Sequence, residues 1–233
     1  MSGLCKPGMG EPTMAKLVGT FAAALFDMDG TLIDSARNGE RAWGLLAEQW
    51  QLTAPDSALF RSVHGMAARQ ALSRIVPTAL VKAACRDLER IESEDTEGVK
   101  ALPGAIELFS AVPEQRRTIV TSSFPDVATA RLLAAGIVPP ALMITCEQIT
   151  RGKPDPEPFL AGAALMCVPP DQAIAFEDTR PGIRSAKAAG CTVIAVEGLH
   201  RRSELAEADY VVAALTDVRV FNAGDDGFSV EVA

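Results

Sequence analysis

The sequence predicts an α/β fold: a doubly wound parallel sheet, with a smaller all-helical unit inserted after the first strand. Three observations carry this expectation. Short apolar runs alternate with helix-period segments from residue 21 onward, which is the pattern of a mostly parallel sheet with helices on both faces. Several of those segments carry helix start and stop chemistry. About 80 residues between the first apolar run and the second hold no convincing strand.

Taken in order, residues 1–20 mix Gly, Pro and Lys and read as a disordered leader. The first strand is Phe21–Phe26. Apolar residues three and four apart then predict helices over Ser35–Trp50, Ala58–Val63, Met66–Val76 and Ala79–Glu94. These form the inserted unit, residues 35–101, and Leu102-Pro103-Gly104 marks the return to the main domain. Two crossings between two bodies make a hinge. Further strands are expected at Thr118–Thr121, Leu142–Ile144, Ala173–Phe176, Thr192–Val196 and Tyr210–Val212. Helices fall between them at Pro125–Ala135, Glu157–Cys167, Pro181–Ala189 and Arg202–Ala206. Asp155 before Pro156, and Thr179 ahead of Pro181, supply start signals. Gly136 and Gly190 follow Ala-rich helices, where a left-handed residue favours glycine. The main domain is thus 21–34 with 102–221, and residues 222–233, rich in Gly and Asp, read as a loose tail.

Composition narrows the function. A chain of 233 residues, 48% of them hydrophobic, can bury a sizeable core. A formal charge of −8, with scattered basic residues, argues against nucleic acid as a partner. No apolar run approaches the roughly 20 residues of a membrane span, so no membrane partner is expected. The first residues lack the apolar core of a signal peptide. The five cysteines form no C-x-x-C pair and read as free thiols. The cytoplasm is therefore the expected location, and nothing bears on oligomeric state.

The chemistry sits at the strand ends, where open parallel sheets bind ligands. The first strand runs into "LFDMDGTLID" and ends in Asp27 and Asp29. Like charges that close raise each other's cost of ionisation, so either a cation lies between them or one holds a proton. The second strand ends in Thr121, Ser122 and Ser123, and the fourth in Glu177 and Asp178. Lys153 precedes a helix in "RGKPDPEPF". Singly these are ordinary: a turn, a hydroxyl-rich loop, acids at a helix start, a solvated lysine. Jointly, four acids with one lysine repel unless a divalent cation is present. Hard oxygen ligands suit Mg²⁺, which keeps waters and a substrate phosphate in its shell.

"DMDGT", "VTSS", "GKPDPEPF" and "FEDTRPGI" resemble the four motifs of the haloacid dehalogenase-like (HAD) superfamily, over roughly Phe21 to Val212. The helical insert looks like that family's cap domain on a Rossmann-like core. "IESEDTEGVKALPGA" and His64-Gly65 resemble its sugar and polyol phosphatases, among them glycerol-phosphate and 2-deoxyglucose-6-phosphate phosphatases. The resemblance implies a Mg²⁺-dependent phosphatase for a small phosphorylated metabolite, working through an aspartyl-phosphate. Asp27 would be the nucleophile and Asp29 the acid and base. Asp27, Asp178 and the Asp29 carbonyl, with Glu177, would hold the metal. Thr121, Ser122 and Lys153 would hold the phosphoryl group. In the cap, His64 and Gly65, with Glu94 and Glu97 behind them, are candidates for the leaving group.

Rival activities leave their own marks. Dehalogenases of the superfamily lack the acid at Asp29, and a phosphonatase needs a cap lysine in a motif that neither Lys82 nor Lys100 matches. β-Phosphoglucomutase-like phosphotransferases carry a histidine where this chain has Gly39. A non-catalytic binding module would be expected to have lost a nucleophile or metal ligand, and none is lost.

Overall fold

A computed structural model describes residues 15–52, 68–198, 200–224 and 227–233. The chain starts with strand β1 (Lys16–Phe21) and continues into β2 (Ala23–Phe26). A short strand β3 (Ile33–Asp34) leads to helices α1 (Ala36–Gln49), α2 (Ala68–Leu72) and α3 (Val81–Glu94), and β4 (Lys100–Ala101) leads back. Helix α4 (Ala105–Ala111) precedes β5 (Arg117–Ile119), which feeds α5 (Pro125–Ala134). Helix α6 (Glu157–Leu165), β6 (Ala173–Glu177), α7 (Arg180–Ala189), β7 (Thr192–Val196) and β8 (Tyr210–Val212) complete the alternation. A hairpin of β9 (Val218–Gly224) and β10 (Gly227–Val232) ends the chain.

The main sheet has the order β5-β2-β6-β7-β8, parallel throughout. From β2 the chain goes first to one side, to β5, and later to the other, to β6. Strand β2 therefore lies at the point where the winding reverses, the place where such sheets bind ligands. Alternation along the strands splits the core in two. Ala24, Phe26, Phe176 and Ile194 pack with Phe109 and Leu132 on one face, while Leu25, Ala175 and Val193 pack with Phe159 and Ile183 on the other. The Phe26 and Phe176 rings stack with centroids 4.6 Å apart.

The helical insert has its own core of Trp43, Leu46, Leu72, Leu88 and Ile91. Phe124 and Val127, at the start of α5, join it, so the insert rests on that helix. Trp43 is core, and Trp50 packs beside it with its indole donating to Asp87 at 2.9 Å. Strands β3 and β4 pair antiparallel, so the two crossings run side by side. Gly136 and Gly190 both adopt positive φ, +76° and +100°, after their helices. Thr179 caps α7 by accepting from the Gly182 amide at 3.2 Å.

The structure corrects several expectations. Residues 16–20, placed in the leader, form β1, and the tail 222–233 is not loose. β1, β10 and β9 make an antiparallel sheet, with Gly224 and Gly227 paired across the end of the hairpin. Its apolar residues explain it: Phe21, Val218, Phe228, Val230 and Val232 pack on Phe109 and Leu108 and extend the main core. Leu142–Ile144 is not a strand; Ile144 alone bridges to Val120. Arg202–Ala206 yields a single 3₁₀ turn, Arg202–Glu204. Helix α4 went unread because seven residues are too short for a clear period. The expected helix Ala58–Val63, and His64 with Gly65, lie outside the described residues.

Candidate active site

The sheet fixes Asp27 where β2 stops. Its amide donates to the Phe176 carbonyl at 2.9 Å, and the Val120 amide donates to the Phe26 carbonyl at 2.8 Å. The chain then folds over itself. The amides of Thr31, Leu32 and Ile33 all turn back to the Met28 carbonyl, and Gly30 donates to the Ile33 carbonyl at 2.8 Å. Gly30 has φ +89°, and a Cβ there would lie 2.1 Å from Asp178 Oδ2. Glycine serves both needs at once, the left-handed turn and the close approach of a carboxylate.

Lys153 is buried, 3% exposed, and closes the cluster. Its ammonium donates to Asp27 Oδ1 at 2.5 Å, Glu177 Oε1 at 2.6 Å and the Val120 carbonyl at 3.1 Å. It also lies 5.2 Å above the Phe159 ring centroid. Glu177 uses its other oxygen to accept from the Asp178 and Thr179 amides and the Thr179 hydroxyl, each at 2.9 Å. Asp178 accepts from the Thr31 hydroxyl at 3.3 Å through Oδ1, while Oδ2 is buried with no hydrogen-bond partner among the described residues.

Three carboxylates against one ammonium leave negative charge in a dry place. Burial pushes the Asp27 carboxyl up to about 7, against the opposing pull of Lys153, and Glu177 adds to the rise. Burial, then Glu177 and Asp27, hold Asp178 well above the ordinary range. Burial works against the charge on Lys153, but the two carboxylates outweigh it and keep the ammonium above its usual value. Asp27, Glu177 and Asp178 offer oxygens all within 4.8 Å of one another. A cluster of hard oxygen donors with an orphaned oxygen suits a divalent cation. The residues fit a metal.

Thr121 is buried at the end of β5, its amide bonded to the Ile144 carbonyl and its hydroxyl accepting from the Ser123 amide at 3.1 Å. Ser122 beside it is partly exposed. Asp29 stands apart from the metal-type cluster. Its Oδ1 accepts from Ser35 at 2.5 Å and Arg131 at 3.0 Å, and its Oδ2 from Ser123 at 2.8 Å. The structure thus joins Asp27, Lys153, Glu177 and Asp178 directly, with Thr121 and Ser122 on the neighbouring strand end. Glu94 is exposed and pairs with Arg90 of its own helix, and Glu97 is exposed too, so neither joins the site. Ser35, Asn38, Glu92 and Arg131, which the motif reading passed over, surround Asp29. The signal was there: Arg131 falls on the stripe Val127, Ala128, Leu132 that α5 buries, where a charge is out of place.

Comparison with known proteins gives the family. A family model for haloacid dehalogenase-like hydrolases matches residues 21–190. The chain belongs to the haloacid dehalogenase-like hydrolase family. Hexitol phosphatase A of Escherichia coli is 40% identical to this HAD-like hydrolase, over 84% of the chain and 92% of the relative. Validoxylamine A 7′-phosphate phosphatase of Streptomyces hygroscopicus subsp. limoneus is 34% identical over 85% and 96%. The 2-deoxyglucose-6-phosphate phosphatase 1 of Saccharomyces cerevisiae is 28% identical over 89% and 94%. Among solved structures, a hydrolase from Pseudomonas syringae shares the fold with a TM-score of 0.73, at 24% identity over 84% and 94%. No helix among the described residues of this HAD-like hydrolase is long and apolar enough to cross a membrane.

Proposed function

We propose that this hydrolase is a Mg²⁺-dependent phosphatase for small phosphorylated metabolites, sugar or polyol phosphates, acting through an aspartyl-phosphate. The observation that carries the reading is the buried strand-end cluster: a carboxylate, Asp27, locked to Lys153 beside an Asp178 oxygen with no hydrogen-bond partner among the described residues. The names of the relatives supply the substrate class, since they act on hexitol, deoxyglucose and related phosphates.

In this reading Asp27 attacks phosphorus and becomes the acyl phosphate, while Asp29 gives a proton to the leaving alkoxide. Asp29 then takes a proton from the water that cleaves the intermediate. Lys153 neutralises charge on Asp27 and on the phosphoryl oxygens, and the hydroxyls of Thr121 and Ser122 hold the rest. Asp27, Asp178 and the Asp29 carbonyl would hold Mg²⁺. Glu177 would act from behind them, because both its oxygens already accept hydrogen bonds. When bound, the ion supplies charge neutralisation and polarises the phosphoryl oxygens. His64 and Gly65, from the cap, are proposed to meet the leaving group.

The test is phosphate release from a panel of polyol, sugar and nucleotide phosphates, with Mg²⁺ and with excess chelator. Release that needs Mg²⁺ and favours polyol or sugar phosphates is expected. Undiminished turnover in chelator, or no release from any ester, contradicts the proposal. With Gly39 in place of the mutase histidine, free phosphate is the expected product rather than an isomeric sugar phosphate.

A further inference from the structure

Arg131 takes no part in the metal-type cluster, yet it is one of the most deeply buried charges in the chain, 4% exposed. It projects from α5 of the main domain into the seam beneath the cap. Each arm of its guanidinium meets a different element. Nε donates to Asn38 of α1 at 2.8 Å, one terminal nitrogen to Glu92 of α3 at 3.2 Å, and the other to Asp29 at 3.0 Å. Burial penalises this charge, but Asp29 and Glu92 outweigh the penalty and keep it firmly ionised.

A cap could be glued to a core at less cost. An apolar pair of similar volume holds two helices as well as a buried ion pair does, and frequently better. A guanidinium offers fixed donor directions instead, so it sets where a carboxylate sits. Asp29 is held in just this way from two bodies at once. Ser123 and Arg131 reach it from the main domain, and Ser35 from the N-terminal end of α1 in the cap. Asn38 and Glu92, which brace the far side of Arg131, are also cap residues. The position of the Asp29 carboxylate therefore depends on the cap being seated.

We infer that Arg131 is a positioning residue for Asp29, aiming its carboxyl at the leaving group and tying that aim to the seated cap. The inference rests on the reading of Asp29 as the acid and base. Proton donation matters most when the leaving group is basic, so misplacing Asp29 penalises poor leaving groups selectively. A residue that merely joins cap to core would weaken all substrates alike.

The experiment compares phenyl phosphate with p-nitrophenyl phosphate, two esters alike in shape but different in leaving-group basicity. Wild type, Arg131→Met, Arg131→Lys and Asp29→Asn are assayed with both. A ratio of two rates from one preparation is independent of how much protein is folded. In Arg131→Met, kcat/KM should fall at least about tenfold more for phenyl phosphate than for its nitro analogue. Arg131→Lys keeps the charge but not the fork, and should show the same bias by a smaller factor. Should either Arg131 variant lose both activities equally while Asp29→Asn separates them, Arg131 is a structural strut and the inference fails. Should Asp29→Asn itself treat the two esters alike, the acid reading falls and the inference with it. If Arg131→Met cannot be purified, Arg131→Lys alone decides on the same criterion.

Discussion

Two buried charge clusters lie on either side of one dipeptide step, and they are built to opposite ends. At the strand ends, Asp27 and Glu177 share a single ammonium, and Asp178 beside them has one buried oxygen with no hydrogen-bond partner among the described residues. Beneath the helical insert, Asp29 and Glu92 share a guanidinium that also reaches Asn38, and no fully buried side-chain nitrogen or oxygen of that group lacks a partner among the described residues. The first cluster carries excess negative charge that a cation would offset. The second, two carboxylates on one guanidinium, also holds one excess negative charge, and burial pushes the Glu92 carboxyl up, but its hydrogen bonds serve to aim one of its members. An orphaned buried oxygen marks where a ligand is wanted, and hydrogen-bonded charge marks what holds a group in place.

The largest effects should come from breaking the first cluster. Asp27→Asn keeps shape and volume and removes the attacking charge, so turnover should drop on the order of 10³-fold or more. Circular dichroism should show an intact fold. Activity near wild type in that variant would remove Asp27 from the role. By contrast, a change in the hairpin sheet should affect stability alone. Phe228 is fully buried, so Phe228→Ala should cost about 3–5 kcal/mol in denaturant unfolding. Its kcat per folded molecule should match wild type, and a specific loss of kcat would show that the sheet reaches the site.

The pH dependence sharpens the same contrast. Asp27, at about 7, and Asp178 both sit above their ordinary range, so the metal-free folded protein keeps protons there. The unfolded chain releases those protons above about pH 4. Bound protons therefore favour the folded state at low pH, and this contribution is lost as pH rises toward about 7. Mg²⁺ bound at these acids would displace the same protons, so it should raise Tm more at pH 8 than at pH 5. An equal shift at both values would place the ion elsewhere. Gly30→Ala drives a methyl to 2.1 Å from Asp178 Oδ2 and should abolish most of that shift.

The smallest effect concerns the thiols. Cys167 is exposed, whereas burial pushes Cys146 and Cys191 each up to about 12. Iodoacetamide at pH 8 should label Cys167 before Cys85, Cys146 and Cys191, as read by peptide mass mapping. Early labelling of Cys191 would mean that its helix and strand open readily.

The alternating sheet and the strand-end residues were legible because each obeys a local rule. Apolar runs stop at acids, helices start at Thr179 and stop at Gly190, and the motifs fall at strand ends. The hairpin was not legible, because Gly224, Asp225, Asp226 and Gly227 dominate the tail by composition. Only long-range pairing with β1 gives Phe228 and Val230 something to bury against. Arg131 stands out as a charge on the buried stripe of α5, but what it touches was hidden for a similar reason. Its partners Asp29, Asn38 and Glu92 come from three separate stretches of chain, and no spacing rule links them. Motifs reveal residues that act on a shared ligand more readily than residues that act on each other.

The account turns on a covalent bond to Asp27. The most direct measurement is to mix enzyme, Mg²⁺ and a turned-over ester, quench in acid within the first turnover, reduce with borohydride and map the peptides. An acyl phosphate on Asp27 is converted to homoserine, so residue 27 should be recovered in that form. Asp29, Glu177 and Asp178 should be unchanged. Homoserine at any other acid, or none at all while phosphate accumulates, would contradict the account.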